Sequence, residues 1–115
     1  MTKNEWMAEK VGFKRPPSLF GVWEYPDHHR GNSLPDFEHS LDAQVKWVWP
    51  KAIKYEWQDI ELSPPQKDEN YWQVSIIHLR LLFWSKTDFY GEGDTLAEAS
   101  FNACCEALGW KDKED

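Results

Sequence analysis

The chain has 115 residues, a formal net charge of −7 and an aromatic content of 16% that includes eight tryptophans. This length fits one domain, residues 1–115, and the aromatic residues bury enough area to exclude a disordered chain. The acidic balance argues against a phosphate backbone as a partner, so nucleic acid is not expected.

The chain lacks the sequence marks of a membrane or exported protein. Its best apolar run is interrupted by His78 and Arg80 and falls short of the roughly 18 residues of a membrane span. The amino terminus carries acidic residues where a leader needs a basic and then an apolar stretch. The adjacent Cys104 and Cys105 are predicted to be reduced, because a disulfide between neighbours strains its geometry. These features predict a cytoplasmic protein.

Two segments make up the first third of the chain. Thr2 and Glu5 fit a capping box, in which each side chain bonds a backbone N–H near the start of a helix, and Gly12 supplies the stop. They predict a short helix over about residues 3–11. The segment 13–35 is rich in proline and glycine, which predicts a long irregular connection. Its aromatic residues are expected to pin it to the core or to form a short strand.

The second helix is predicted to begin at Ser40, a favourable N-cap residue. Its apolar residues recur at helical spacing and define one stripe: Leu41, Val45, Val48 and Ala52. Pro50 is expected to end or kink this helix near Trp49, with a continuation through Lys54.

Alternation of apolar and polar residues predicts strands in the second half of the chain. A weak strand is expected over 59–63, a stronger one over 72–79, and a last strand that ends at 91–93. Thr95, Glu98 and Gly109 then predict a capped helix over 95–108. That helix is apolar over well more than half of its circumference, which predicts burial between the sheet and another element.

Together these elements predict an α+β domain of the α/β sandwich type. A small antiparallel sheet of two to four strands is expected to pack with about three helices. The sequence contains no internal repeat and no sign of a second domain.

Exposed tryptophans are the first candidate functional residues. On the predicted helix Trp47 points away from the apolar stripe, and an outward tryptophan is typical of a binding anchor. Trp23 and Trp57 are its candidate companions in a protein-interaction surface. The alternative is that the 13–35 connection covers Trp47.

An aromatic pocket is the second candidate. Trp72 and His78 fall on one face of the predicted strand 72–79, and Trp84 follows it. The three are candidates for holding a small ligand such as a nucleotide. The alternative for His78 is a hydrogen-bonded residue at the edge of the core, because nothing in the sequence pairs it with a nucleophile.

One loop carries the side-chain types that bind metal ions: Asp27, His28, His29, Asp36, Glu38 and His39. Their spacing matches no metal motif. We expect a solvated polar loop, with no metal and no cofactor. A metal-dependent enzyme such as a nuclease has no other support in the sequence.

Three stretches carry a resemblance to a known family. Residues 4–13, a short helix followed by Val11, Gly12 and an aromatic residue, resemble the start of the phage ABA sandwich domain. The helix start at 40–43 is similar to the middle of that family, and 94–109 resembles its closing helix. The resemblance implies a small α/β sandwich of uncharacterised function, encoded by a phage or prophage and located in the host cytoplasm. It implies no catalytic residues.

Two functions are therefore expected, in order. The leading hypothesis is a non-enzymatic protein-interaction module that binds a host or phage protein, or a second copy of itself. The alternative is a small-ligand binding protein with an aromatic pocket at Trp72, His78 and Trp84.

Overall fold

The computed structural model describes residues 2–16, 21–54, 58–81 and 84–110, and the side chains of 79–81 and 84–86 lie outside this description. It has an α+β fold, as predicted. In chain order the elements are α1 (Lys3–Lys10), β1 (Trp23–Glu24), β2 (Arg30–Gly31), α2 (Leu41–Ala43), a π-helical turn (Gln44–Val48), α3 (Trp49–Ala52), β3 (Gln58–Ser63), β4 (Trp72–Leu81), β5 (Trp84–Gly93) and α4 (Leu96–Leu108). β1 and β2 form an antiparallel hairpin, and β3, β4 and β5 form an antiparallel sheet in that order.

Hydrogen bonds at its amino end fix α1 where the sequence predicts it. The Thr2 hydroxyl accepts a hydrogen bond from Glu5 N at 3.1 Å, and Thr2 N donates to the Glu5 carboxylate at 3.2 Å, which completes the capping box. Asn4 then ties α1 to the end of the long connection. Its side chain donates to Pro35 O and accepts from Phe37 N, both at 2.8 Å.

The described part of the 13–35 connection is pinned to the core, as predicted. It forms the β1–β2 hairpin, and Lys14 pairs with Glu24 of β1 through two backbone hydrogen bonds of 2.9 and 2.8 Å. Phe13 and Trp23 are buried in the main core cluster together with Met7 of α1. The irregular connection is therefore held by side chains that enter the core and by a small number of ladder hydrogen bonds.

The second helix departs from the prediction. Trp49 N donates to Gln44 O, five residues back, so residues 44–48 form a π-helical turn. A π-turn holds more residues than an α-turn, which shifts the inward face of the helix by about one residue. Gln44 and Val48 are buried whereas Val45 is 48% exposed, so the predicted stripe through Val45 is wrong. Pro50 lies in the first turn of α3, where its missing N–H costs little.

The closing helix α4 packs directly on β5 and β4, and on its other side it contacts α3 and the π-helical turn. Two glycines of β5 allow this approach. A Cβ at Gly91 would lie 2.3 Å from Ala103 N, and a Cβ at Gly93 would lie 2.5 Å from Ala99 N. The predicted burial of this helix between the sheet and another element is confirmed.

Two polar residues of α4 bind backbone groups at the edge of β5. Asn102 Nδ2 donates to Glu92 O at 2.7 Å, and Tyr90 N donates to the Glu106 carboxylate at 3.3 Å. The narrow polar side of α4 therefore covers the exposed edge of β5. Its side chains bind the backbone groups Glu92 O and Tyr90 N, which have no neighbouring strand to pair with at this edge of the described sheet.

The amino end of α4 forms half of the predicted capping box. The Thr95 hydroxyl accepts from Glu98 N at 3.2 Å. The Glu98 carboxylate lies 3.6 Å from His39 Nε2. The Glu98 side chain therefore connects α4 to the loop before α2.

Candidate ligand-binding site

A cleft of about 310 Å³ opens at the end of the sheet, beside the last turns of α3 and α4. Small side chains of these two helices form one wall, and polar groups of the strands face it. The described residues that line the cleft are Ala52, Lys54, Gln58, His78, Asp88, Phe89 and Ala107.

An irregularity in strand pairing aims Asp88 into this cleft. Ile76 pairs with Phe89, but the next pair is Ile77 with Thr87, so Asp88 is an extra residue on β5. A β-bulge of this kind re-aims a side chain and is over-represented beside functional sites. The Asp88 side chain is 17% exposed and faces His78 across the two strands.

Three polar side chains form one network in the cleft. His78 Nδ1 lies 3.5 Å from Asp88 Oδ2, and Gln58 Nε2 donates to the same oxygen at 3.3 Å. Gln58 Oε1 accepts from Lys54 N at 2.9 Å, which holds the amide in this orientation. A carboxylate beside one nitrogen of an imidazole favours the ring orientation that keeps the two groups together. The cleft therefore presents a positioned imidazole, an oriented amide and a carboxylate within one small volume.

The chemistry of these groups favours binding over covalent catalysis. Among the described lining residues there is no hydroxyl or thiol that His78 could activate as a nucleophile. The polar groups can donate to and accept from a ligand, and the Phe89 ring with the two alanines supplies apolar contact. Concave sites with apolar walls and a few convergent polar groups are typical of small-molecule binding.

The structure places two residues of the predicted aromatic pocket, Trp72 and His78, apart from each other. Trp72 lies at the end of β4 that pairs with Gly93, whereas His78 and the backbone of Trp84 lie toward the other end of the β4–β5 pair. The strand between Trp72 and His78 spans roughly 20 Å. Trp72 packs instead against the second core cluster, under the start of α4. Trp72 and His78 are therefore far apart on β4, because a shared strand face does not imply proximity. The side chain of Trp84 lies outside the described residues, so its place in a pocket stays a prediction.

Two of the three predicted interaction anchors, Trp47 and Trp23, pack within the chain. Trp47 is half-buried, with its ring centroid 5.3 Å from that of Phe13 and 6.0 Å from that of Tyr25. The expectation that Trp47 points away from the core is wrong, because the π-helical turn changes its direction and the 13–35 connection covers it. Trp23 is 9% exposed. Trp57 lies outside the described residues.

The loop with metal-binding side-chain types is placed at the surface. His39 Nδ1 lies 2.9 Å from Asp36 Oδ2, and a hydrogen bond to this carboxylate raises the pKa of His39. Within the described ranges, no group of three or more His, Cys, Asp or Glu side chains is arranged to hold a metal ion.

The two cysteines lie on the buried side of α4. Burial raises the pKa of Cys104 to about 12, and the hydrogen bond with Ser100 only partly opposes this shift. Cys104 is therefore a protonated core thiol, which agrees with the prediction of reduced cysteines that act as small apolar residues.

The sequence analysis named His78 as a candidate but did not name the residues that surround it in space. Gln58 opens β3, Lys54 follows α3, and Asp88 occupies the bulge, so they come from three separate segments. No local pattern in the sequence marks the bulge, because apolar alternation is weak before Phe89.

Comparison of the chain with family models, curated proteins and solved structures found no match. The resemblance to the phage ABA sandwich domain therefore stays a prediction. In the described part of the chain, no helix combines the length and the apolar character that crossing a bilayer requires.

Proposed function

We propose that this protein is a non-enzymatic binding protein whose ligand is a nucleoside or nucleotide held in the cleft at His78. One observation carries the proposal: a β-bulge directs Asp88 toward His78 and Gln58 at the mouth of a cleft of about 310 Å³. A bulge that aims a carboxylate at an imidazole and an amide is a specific arrangement, whereas a solvent-exposed sheet end needs none of these groups.

The groups in the cleft match the groups of a nucleoside. Carboxylate and amide side chains recognise the N–H and carbonyl edges of a base, and an aromatic ring such as that of Phe89 offers a flat apolar face. Lys54 stands at the rim, where an ammonium group attracts a phosphate. A nucleoside or nucleotide would therefore contact each of the described walls of the cleft.

A thermal-shift titration tests the proposal with adenosine, uridine and their monophosphates as probes. A ligand that binds only the folded state raises the free energy of unfolding by RT ln(1 + L/Kd), where L is the free ligand concentration. This amounts to about 2.7 kcal/mol at 100 times Kd, and so raises the melting temperature. We expect at least one probe to raise the melting temperature of the protein. Amide chemical shifts of Gln58, His78 and Asp88 should move in the same titration.

The variant Asp88→Asn keeps the size of the side chain and removes its charge. We expect it to weaken binding by about tenfold or more, because hydrogen bonds to charged groups contribute about 1.5–3 kcal/mol. Thr87→Ala, one residue away on the exposed side of β5, is the matched control and should bind as the parent protein does. Absence of stabilisation by every probe, or equal binding by Asp88→Asn, would contradict the proposal.

Protein interaction is the second candidate function, and it rests on the outer face of the sheet. Helix α4 packs on the other face. The outer face carries Asp59 and Glu61 on β3, Glu92 on β5, and Tyr90, which is 37% exposed. An acidic face with an exposed tyrosine suits a basic protein partner. Light scattering over a range of concentrations separates self-association, which raises the mass, from binding to another protein, which does not.

The phage or prophage origin implied by the resemblance remains a proposal as well. Its support is the order of short motifs along the chain. The genes that adjoin the coding sequence test it: neighbours that encode phage structural or replication proteins would support it, and an unrelated chromosomal context would remove it.

A further inference from the structure

A second cavity has a volume of about 290 Å³ and shares no described lining residue with the cleft at His78. It is enclosed by the end of α1, the start of the long connection, the β1–β2 hairpin and α3. The described lining residues are Val11, Gly12, Lys14, Glu24, Tyr25, Pro26, His28 and Lys51. Its floor is largely apolar and its rim is basic.

His28 has a left-handed backbone conformation, which is uncommon in residues other than glycine. His28 N donates to Tyr25 O at 2.9 Å, and Tyr25 N donates to His29 O at 2.7 Å, so residues 25–29 close the hairpin. His28 has φ of +68°, the one non-glycine residue with positive φ in the described chain. Hairpin loops of this kind normally place glycine at the left-handed position. A side chain kept at such a position points to a use for that side chain.

Two lysines and a histidine from three separate segments line this cavity. Lys14 belongs to the backbone bridge with β1, His28 to the hairpin loop and Lys51 to α3. The chain as a whole has a net charge of −7, so this concentration of basic groups does not follow from its composition. Glu24 is the one described acid in the lining, and its carboxylate lies 4.0 Å from the Arg30 guanidinium, which offsets its charge.

We propose that this cavity binds a small phosphate monoester, with the phosphate held by His28, Lys14 and Lys51 and an apolar group resting on the floor. Lysine is a common phosphate ligand, and an imidazole donates to a phosphate oxygen as a charge-assisted hydrogen bond when it is protonated. The floor of Val11 and Pro26 accounts for the apolar part of the ligand. This site is independent of the nucleoside cleft at His78.

Phenyl phosphate is the probe, with inorganic phosphate and phenol as its two halves, in calorimetric titration and in two-dimensional amide NMR at low ionic strength. We expect phenyl phosphate to bind more tightly than either half and to move the amide signals of Lys14, His28 and Lys51. We expect added salt to weaken the binding, because the rim charges are exposed and screened.

The variant His28→Gly separates ligand binding from folding. Glycine suits the left-handed position, so we expect a melting temperature equal to or above that of the parent protein, together with binding weakened by about tenfold or more. Lys51→Gln should weaken binding in the same direction. His29→Gln, the next residue in the loop, is the matched control and should retain binding.

Asp88→Asn in the other cleft distinguishes the two sites and should leave phenyl phosphate binding unchanged. The proposal is overturned if His28→Gly binds phenyl phosphate as the parent does, if the parent does not bind it, or if Asp88→Asn abolishes the binding. A lower melting temperature of His28→Gly would overturn the argument from backbone conformation.

Discussion

The contact between α4 and β5 makes Gly91→Ala the most informative substitution in this fold. The added Cβ would lie 2.3 Å from Ala103 N and 2.4 Å from Ala99 O. Both are backbone atoms of α4, so no side chain can rotate away, and the helix must retreat by about 1 Å to reach ordinary contact. Overpacking of a close-packed core costs about 1–3 kcal/mol. We expect the upper end of this range, because the whole helix has to move.

The loss is large relative to the stability of a small domain, which is about 5–15 kcal/mol. For a chain of this size, 3 kcal/mol lowers the melting temperature by roughly 10 °C. Thermal unfolding followed by circular dichroism measures the shift, and urea unfolding gives the change in free energy. Gly31→Ala is the matched control, because its Cβ meets Tyr25 Oη at an ordinary 3.5 Å. A Gly91→Ala variant as stable as Gly31→Ala would refute the close packing of α4 on β5.

Three further predictions follow from buried or paired groups. Gln44→Leu should destabilise the fold by about 2–4 kcal/mol in urea unfolding, because Phe37 O and Ala97 O each lose a bond of 2.7 Å from the Gln44 amide. Cys104 should resist a thiol reagent at pH 8 in the folded protein and react on unfolding, because burial raises its pKa to about 12. The pKa of His39 in an NMR titration should exceed the usual value of 6.5 for histidine and return toward it in Asp36→Asn. Because this pKa is raised, the contact stabilises the folded state below pH 6.5 and loses its effect as the pH rises through the raised value.

Local chemistry explains which parts of the fold could be predicted. The ends of α1 depend on Thr2, Glu5 and the glycine that follows, all within a few residues of the helix. The end of α4 at Gly109, with φ of +94°, is equally local. The alternation of apolar and polar residues is enough to predict β3 and most of β4. These signals need no knowledge of the rest of the chain.

Two of the departures from prediction share one physical cause, a single extra residue in a regular element. The π-helical turn changes which side chains of residues 44–48 face inward, and therefore exposes Val45 and buries Trp47 against the connection. The β-bulge at Asp88 does the same in β5 and creates the candidate site. Helical and strand periods assume an unbroken register, so a prediction from spacing fails from the point of insertion onward. Both insertions are stabilised by tertiary contacts that spacing does not contain.

The hydrogen bonds from α4 to the edge of β5 determine how the sheet can grow. With Tyr90 N and Glu92 O occupied by side chains of α4, another strand finds no continuous row of donors and acceptors there. In the described sheet, extension by a second copy is left to β3, where Ile60 N is bound by the Asp59 carboxylate at 2.8 Å. Two antiparallel copies of β3 would also bring Asp59 and Glu61 of both chains together. These contacts therefore oppose polymerisation through the edges of the sheet. We expect that removal of the Glu106 or Asp59 carboxylate would favour the formation of fibres.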